Sequence, residues 1–289
     1  MEKQKKAYLY ACLAIVFWST SASAFKISLA HLDVLTLLLL ASMTSAIVLL
    51  LYLLSQNKLR LLKALSKKDY LRSAFLGFLN PFLYYTVLFK AYSLLLAQEA
   101  QPLNFVWPLT LVLLSIPILK QKIKRKDILA ILISFFGVFI ISTGGHILHF
   151  KFTNSLGVLL ATGSSIPSAL FWIYNMKDKR DDLVKLFLNF AFASAYVFLA
   201  LLLFGKVRIP GIYGILGATY VGLFEMGITF LIWLKALKLS KTTAHVTNLV
   251  YLVPFLSLVV ISLVLREAIL PSTIVGAVFI VGGIILQKL

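Results

Sequence analysis

Glu225 stands in the stretch YVGLFEMGITFLIW, near the middle of an apolar run over 212–234. A carboxylate at membrane depth is unfavourable by about 2.5–3.5 kcal/mol on insertion scales, so it calls for a proton, a cation or hydrogen-bond donors. Three kinds of chemistry are open to it: proton uptake and release, pairing with a substrate amine, or hydrogen bonds to residues such as Asn248 or Tyr84. A protonated acid that only holds helices together is the plainer alternative. Asn80 occupies the corresponding place in an earlier apolar run, with Pro81 beside it. Proline removes a helical N–H and frees a carbonyl.

Two further stretches carry amides among aromatics. In QPLNFVWPLTLVLLSIP, Gln101, Asn104 and Pro108 share a helical face with Trp107 beside it, and Pro102, Pro108 and Pro117 interrupt the ladder. A later stretch places His245, Asn248 and Tyr251 three residues apart ahead of Pro254. A proline-broken polar helix at membrane depth is tolerated only against protein or water. Amides next to Trp or Tyr suit a ligand with a flat apolar part and a polar end. His245 itself reads as a solvated histidine near a helix end.

The first apolar run holds FWSTSASAF (17–25), in which Ser19, Ala22, Ser23 and Lys26 fall on one helical face. Small residues let helices approach closely, and their hydroxyls bond across the contact or back to their own carbonyls. The same tract would equally suit the wall of a polar path, with Trp18 beside it. ATGSSIPSALFW (161–172) matches it in character and brings Ser165 and Trp172.

These residues must be positioned by membrane helices. Only 13% of the 289 residues are charged and 61% are hydrophobic, whereas a soluble chain averages about 25% charged. The mean hydropathy is +0.96. Cutting at the charge clusters predicts ten spans, over 7–29, 33–55, 71–90, 97–119, 127–143, 155–175, 183–204, 212–234, 242–265 and 271–287. Of the 28 Lys and Arg residues, 22 fall on one side of the alternation and 6 on the other. That bias predicts both termini in the cytoplasm. It also accounts for the formal charge of +18 without nucleic acid as a partner. Lys3, Lys5 and Lys6 before the first run, with Ala22-Ser23-Ala24 after it, resemble a signal peptide. The repeat described next needs that run as a full helix.

LGFLNPFLYYTVLFKAYSLL (76–95) aligns with VGLFEMGITFLIWLKALKLS (221–240) at an offset of 145, matching Gly77 with Gly222, Lys90 with Lys235 and Asn80 with Glu225. After a one-residue shift Pro108 matches Pro254, and Gly137 matches Gly283. A unit of five helices is odd, so the second copy enters the membrane inverted. Inverted repeats characterise secondary transporters, with the site near the midplane between the repeats. The expected architecture is an all-α polytopic membrane protein, with ten transmembrane helices as two inverted five-helix repeats around a central cavity. Residues 1–150 form the first repeat and 151–289 the second.

The WPLTLVLLS and YLVPFLSLVVISLVLRE stretches, within this ten-helix plan, resemble the EamA-type group of the drug/metabolite transporter superfamily. The resemblance covers nearly the whole chain. It implies a basket-like bundle and export of small metabolites. QPLNFVWP with FWST is similar to the aromatic amino-acid exporter branch, which makes amino acids the substrate expectation. The family often has a Gly-Glu pair closing the fourth and ninth helices; here Glu267 follows Arg266, and Gln121 takes the place in the first half.

The expected substrate-binding residues are Trp18, Ser19, Asn80, Tyr84, Gln101, Asn104, Trp107, Ser165, Trp172, Glu225, Asn248 and Tyr251. The expected partners are a small-molecule substrate, the lipid bilayer and protons as coupling ion, with the chain a monomer or homodimer in the cytoplasmic membrane. No P-loop, HExxH or GxSxG pattern occurs, and the single cysteine, Cys12, leaves no disulfide. No cofactor, metal or enzyme activity is expected. An uncoupled facilitator, an exporter of other small solutes or drugs, and a lipid-handling or scaffold protein are the competing readings.

Overall fold

The computed structural model describes residues 2–95, 103–146, 154–205, 210–265 and 270–288, and among these it is helix and turn with no strand. The described helices group into ten. They are α1 (Glu2–Leu29), α2 (Val34–Ser55), α3 (Lys67–Gly77, Phe78–Leu83 and Tyr84–Leu94), α4 (Trp107–Leu119) and α5 (Arg125–Ser142). The second set is α6 (Ser155–Gly163 and Ser165–Lys177), α7 (Asp182–Phe204), α8 (Ile212–Tyr220, Val221–Gly227 and Ile228–Leu239), α9 (Thr243–Thr247, Asn248–Tyr251 and Leu252–Leu265) and α10 (Pro271–Lys288). A short helix, Leu59–Lys63, joins α2 to α3. Five of the ten are long and apolar enough to cross a membrane: α1, α2, α6, α7 and α8. α4 is a shorter apolar helix, and the rest of its expected span falls on 96–102, outside the described residues. The expected boundary between repeats at 150/151 also lies outside them.

Local sequence sets the helix ends. Asp33 caps α2, its carboxylate accepting from the Thr36 backbone N–H at 3.1 Å and from the Thr36 hydroxyl at 2.6 Å. Ser66 and Asp69 form a reciprocal capping box at the start of α3. Of the prolines of the fourth span, Pro102 lies outside the described residues, Pro117 falls inside the helix, and Pro108 acts differently from the sequence expectation. Pro108 does not break a helix but begins one, in the first turn of α4, where its missing N–H has no partner to lose.

The helices pair with a twofold logic. α2 packs on α7 and α5 on α10, each helix against its own repeat mate. The other contacts exchange: α1 meets α8 as α6 meets α3, α2 meets α8 as α7 meets α3, and α1 meets α9 as α6 meets α4. Such pairing, across five-helix units that span a membrane, is that of an inverted repeat. Glycines make the close approaches. A Cβ on Gly77 would collide with the Asn189 carbonyl of α7, and one on Gly222 would lie 2.5 Å from the Ala41 carbonyl and 2.6 Å from Thr44 Cβ of α2. Thr44 and Asn189 are themselves 145 apart. Likewise Gly137 fits the Gly276 carbonyl and Gly283 the Ala130 carbonyl, each within 2.5 Å of an added Cβ, and both pairs of positions are related by 146. The repeat seen in the sequence is thus a repeat of contacts.

The lysine-rich face, which carries the N-terminus of α1 and the C-terminal end of α8, is tied shut by polar contacts between the halves. Lys58 pairs with Asp181 at 2.7 Å. Arg180 donates to both Asp178 carboxylate oxygens, the shortest bond being 2.6 Å from Nη2 to Oδ2, and also reaches the Asp69 carbonyl at 2.8 Å. Gln4 accepts from the Lys241 backbone N–H at 2.8 Å, and Gln121 accepts from that of Thr243 at 2.9 Å. Burial alone would raise the Asp178 and Asp181 carboxyls. The hydrogen bonds and charge of Arg180 overcome this at Asp178, those of Lys58 at Asp181, and both are held below the usual carboxylate range.

Candidate functional site

The midplane site begins at two interruptions of regular helix, a kink within Phe78–Leu83 of α3 and a wide π-type turn at Val221–Gly227 of α8. They hold Asn80 and Glu225, the pair matched by the repeat. A π-type turn inserts a residue into the helix, and such turns recur at functional sites. In α3 the backbone leaves helical geometry at Asn80 (φ −155, ψ 126), ahead of Pro81. In α8 the turn lies between Gly222 and Gly227 without a proline.

A wide turn frees carbonyls that need donors when buried. The neighbouring residues supply them. The Ser45 hydroxyl donates to the Gly222 carbonyl at 2.8 Å, and Trp18 Nε1 donates to the Glu225 carbonyl at 3.0 Å. The Thr229 hydroxyl donates to the Phe224 carbonyl. In α3 the Thr86 hydroxyl donates to the Phe82 carbonyl at 2.7 Å. Two of these donors, Ser45 and Trp18, come from the opposite repeat, so the turn in α8 is held by the first half of the chain.

The Glu225 side chain reaches across the same seam. The Tyr85 hydroxyl donates to Glu225 Oε1 at 2.8 Å, while the nearby Ser21 hydroxyl donates to its own Phe17 carbonyl at 3.3 Å. Tyr85 and Ser21 are buried, whereas Glu225 keeps a partly accessible surface. On the side towards the lysine-rich face lie three tryptophans in mutual contact. The ring centroids of Trp18 and Trp107 are 6.0 Å apart, those of Trp18 and Trp233 5.4 Å, and those of Trp107 and Trp233 6.1 Å. They come from α1, α4 and α8 and form a floor beneath the carboxylate. Phe17 packs on Phe224, Phe25 on Tyr85, and Tyr84 edge-on against Tyr85 at 4.8 Å. The Tyr84 hydroxyl donates to Asn104 Oδ1 at 2.9 Å.

The structure therefore gathers Trp18, Tyr84, Asn104, Trp107 and Glu225 into one aromatic and polar cluster. Asn80 is buried at the α3 kink, with its side-chain oxygen lacking a partner among the described residues. Ser165 bridges α6 to α4, accepting from the Thr110 hydroxyl at 2.9 Å. Trp172 lies in a separate aromatic block with Phe171 and Phe230. Asn248 ties α9 to α10, donating to the Gly283 carbonyl and to Gln287 Oε1, each at 3.3 Å. Tyr251 is fully buried with its ring on Phe135. Ser19 donates back to the Ile15 carbonyl at 2.6 Å. Gln101 and Glu267 lie outside the described residues.

Two site residues were not anticipated. Tyr85, rather than Tyr84, reaches Glu225, since the kink at Asn80 takes the residues after it off the register of one continuous helix. Trp233 aligns with Leu88 under the repeat, so no symmetry singled it out.

An inverted ten-helix bundle with a carboxylate at its central seam is the architecture of a multi-pass membrane transporter. The profile of the EamA-like transporter family matches residues 5–143 and again 155–287, and the chain belongs to that family. An uncharacterized transporter of Clostridium kluyveri is 26% identical over 292 residues, covering 98% of this chain and 93% of that one. A protein of known crystal structure shares the fold at a TM-score of 0.84 and 20% identity, over 98% of this chain and 96% of its own.

Proposed function

We propose that this protein is a secondary transporter that exports small metabolites, amino acids first among them, across the cytoplasmic membrane by alternating access. In this reading both termini are cytoplasmic, and the halves 1–150 and 151–289 rock about the central seam. Trp18, Tyr84, Asn104, Trp107 and Glu225 contact the substrate, with protons as the coupling ion. The observation that carries the reading is Glu225. It is a carboxylate at mid-span, bonded by the Tyr85 hydroxyl from the opposite repeat and partly accessible. Intramembrane ionisable residues of this kind mark substrate and proton paths. Ion pairs and the tryptophan floor both lie on the lysine-rich side of Glu225, which corresponds to a state closed towards the cytoplasm.

The test is uptake by proteoliposomes of labelled amino acids, with and without an imposed pH gradient. Saturable uptake that the gradient drives supports a coupled carrier. Saturable uptake that ignores the gradient replaces it with a facilitator, and absence of flux for every amino acid removes the substrate assignment.

A further inference from the structure

We propose that the central site holds its ligand by an ammonium group on Glu225, and that a flat apolar amine without any carboxylate fits it as well as an amino acid does. This rests on the reading of the chain as a small-solute transporter with Glu225 in its site.

The first argument is charge. The donor to the Glu225 carboxylate among the described residues is Tyr85, which is neutral. Among the described residues every salt bridge lies on the lysine-rich face or at the α1 N-terminus, and none includes Glu225. A hydroxyl satisfies a lone pair and leaves the net charge. In a medium of low dielectric that charge strongly favours an arriving cation and opposes an arriving anion.

The second argument is the surround. Trp18 is fixed beside Glu225 by its own N–H on the Glu225 carbonyl, and it retains a partly accessible surface. Trp107 and Trp233 back it, while Phe17 and Phe224 flank the same turn. The faces of aromatic rings attract ammonium groups, tryptophan most strongly. A carboxylate on the ligand would need a guanidinium, an ammonium or a set of N–H donors. The donor observed at Glu225 is the Tyr85 hydroxyl, already engaged. The trio itself is closed, with centroids near 6 Å, so a ligand ring would meet the partly accessible surface of Trp18 and not enter between the tryptophans.

Three compounds with the same ring separate the possibilities: phenethylamine, L-phenylalanine and 3-phenylpropionate. Purified protein in detergent is titrated with each, following tryptophan fluorescence, since three of the four tryptophans form the floor. Phenethylamine is expected to bind at least as tightly as phenylalanine and about tenfold more tightly than 3-phenylpropionate. Glu225→Gln should weaken phenethylamine by about tenfold or more, and Tyr85→Phe by a smaller factor. Size-exclusion profiles establish that each variant is folded, and Tyr85→Phe carries the test if Glu225→Gln does not fold. Binding of phenylalanine without binding of phenethylamine would overturn the inference and leave the transporter reading standing. Equal binding of 3-phenylpropionate would do the same. No binding of any of the three, with saturable flux of another solute, also sinks this inference alone. No saturable flux of any solute removes both.

Discussion

Tyr85 and Glu225 meet across the two repeats, the Tyr85 hydroxyl donating to Glu225 Oε1 at 2.8 Å. Tyr85 belongs to the segment of α3 that follows the kink at Asn80, and Glu225 lies inside the wide turn at the equivalent place in α8. Any rocking of one repeat against the other must change this bond or carry it intact. The bond is therefore a reporter of the seam as well as a determinant of the site.

Removing the hydroxyl while keeping the ring isolates its role. A hydrogen bond to a charged group contributes about 1.5–3 kcal/mol. Tyr85→Phe is predicted to raise the half-saturating substrate concentration severalfold, by less than Glu225→Gln does, and to lower stability by about 1.5–3 kcal/mol at most. Initial-rate uptake over a range of concentrations measures it, and an unchanged half-saturation places the bond outside the binding step.

The tryptophan floor predicts a leak. Trp18→Ala opens the trio and also strips the donor from the Glu225 carbonyl. Passive release of a small labelled solute from loaded proteoliposomes should rise above the wild-type rate. Destabilisation of about 3–5 kcal/mol is expected for so large a truncation. An unaltered leak from a folded variant would remove the floor as a barrier.

Glycine packing predicts a symmetric response. Gly77→Val and Gly222→Val each force a side chain into a facing carbonyl, and a loss of about 3 kcal/mol or more is expected for both. Gly163→Ala, where an added Cβ meets nothing within 4 Å, should be neutral or slightly stabilising. Thermal unfolding in detergent compares the three, and tolerance of either valine contradicts the close helix contacts.

The closed face predicts acid lability. Asp178 is held below the usual carboxylate range against the effect of its own burial, chiefly by Arg180. A depressed carboxyl contributes stability that is present above its unfolded value of about 3.9 and is lost as pH falls through the folded value. Wild-type melting temperature should fall steeply below about pH 4. Asp178→Asn should lower the melting temperature at pH 7, the stranded Arg180 costing about 3 kcal/mol of stability, and flatten the acid limb. A parallel acid limb in the variant would contradict the assignment.

Much of this architecture was legible in the sequence, since lipid admits only a backbone that satisfies itself and charges must collect at the ends. The glycine and carboxylate–amide matches at an offset of 145 reflect real contacts: Gly77 and Gly222 pack on symmetry-related partners, and Asn80 and Glu225 occupy equivalent interruptions of helix. What escaped was local. A helical wheel puts Ser19 and Ser23 on the interesting face, yet Ser19 bonds its own helix. The kink at Asn80 brings Tyr85 to the place read for Tyr84. Asn248 commits its amide N–H groups to Gly283 and Gln287 of α10, while its side-chain oxygen has no partner among the described residues. Composition and spacing reveal that a polar group is present, whereas its partner depends on helix rotation.

The central claim is that Glu225 is the coupling and binding carboxylate of a carrier. The most direct measurement is uptake of labelled amino acids and of phenethylamine by proteoliposomes bearing wild-type or Glu225→Gln protein, with an imposed pH gradient. The account predicts saturable, gradient-responsive flux for wild type, and loss of that response in the folded variant. Equal gradient-driven flux in both would contradict it and leave Glu225 a structural tie between the repeats.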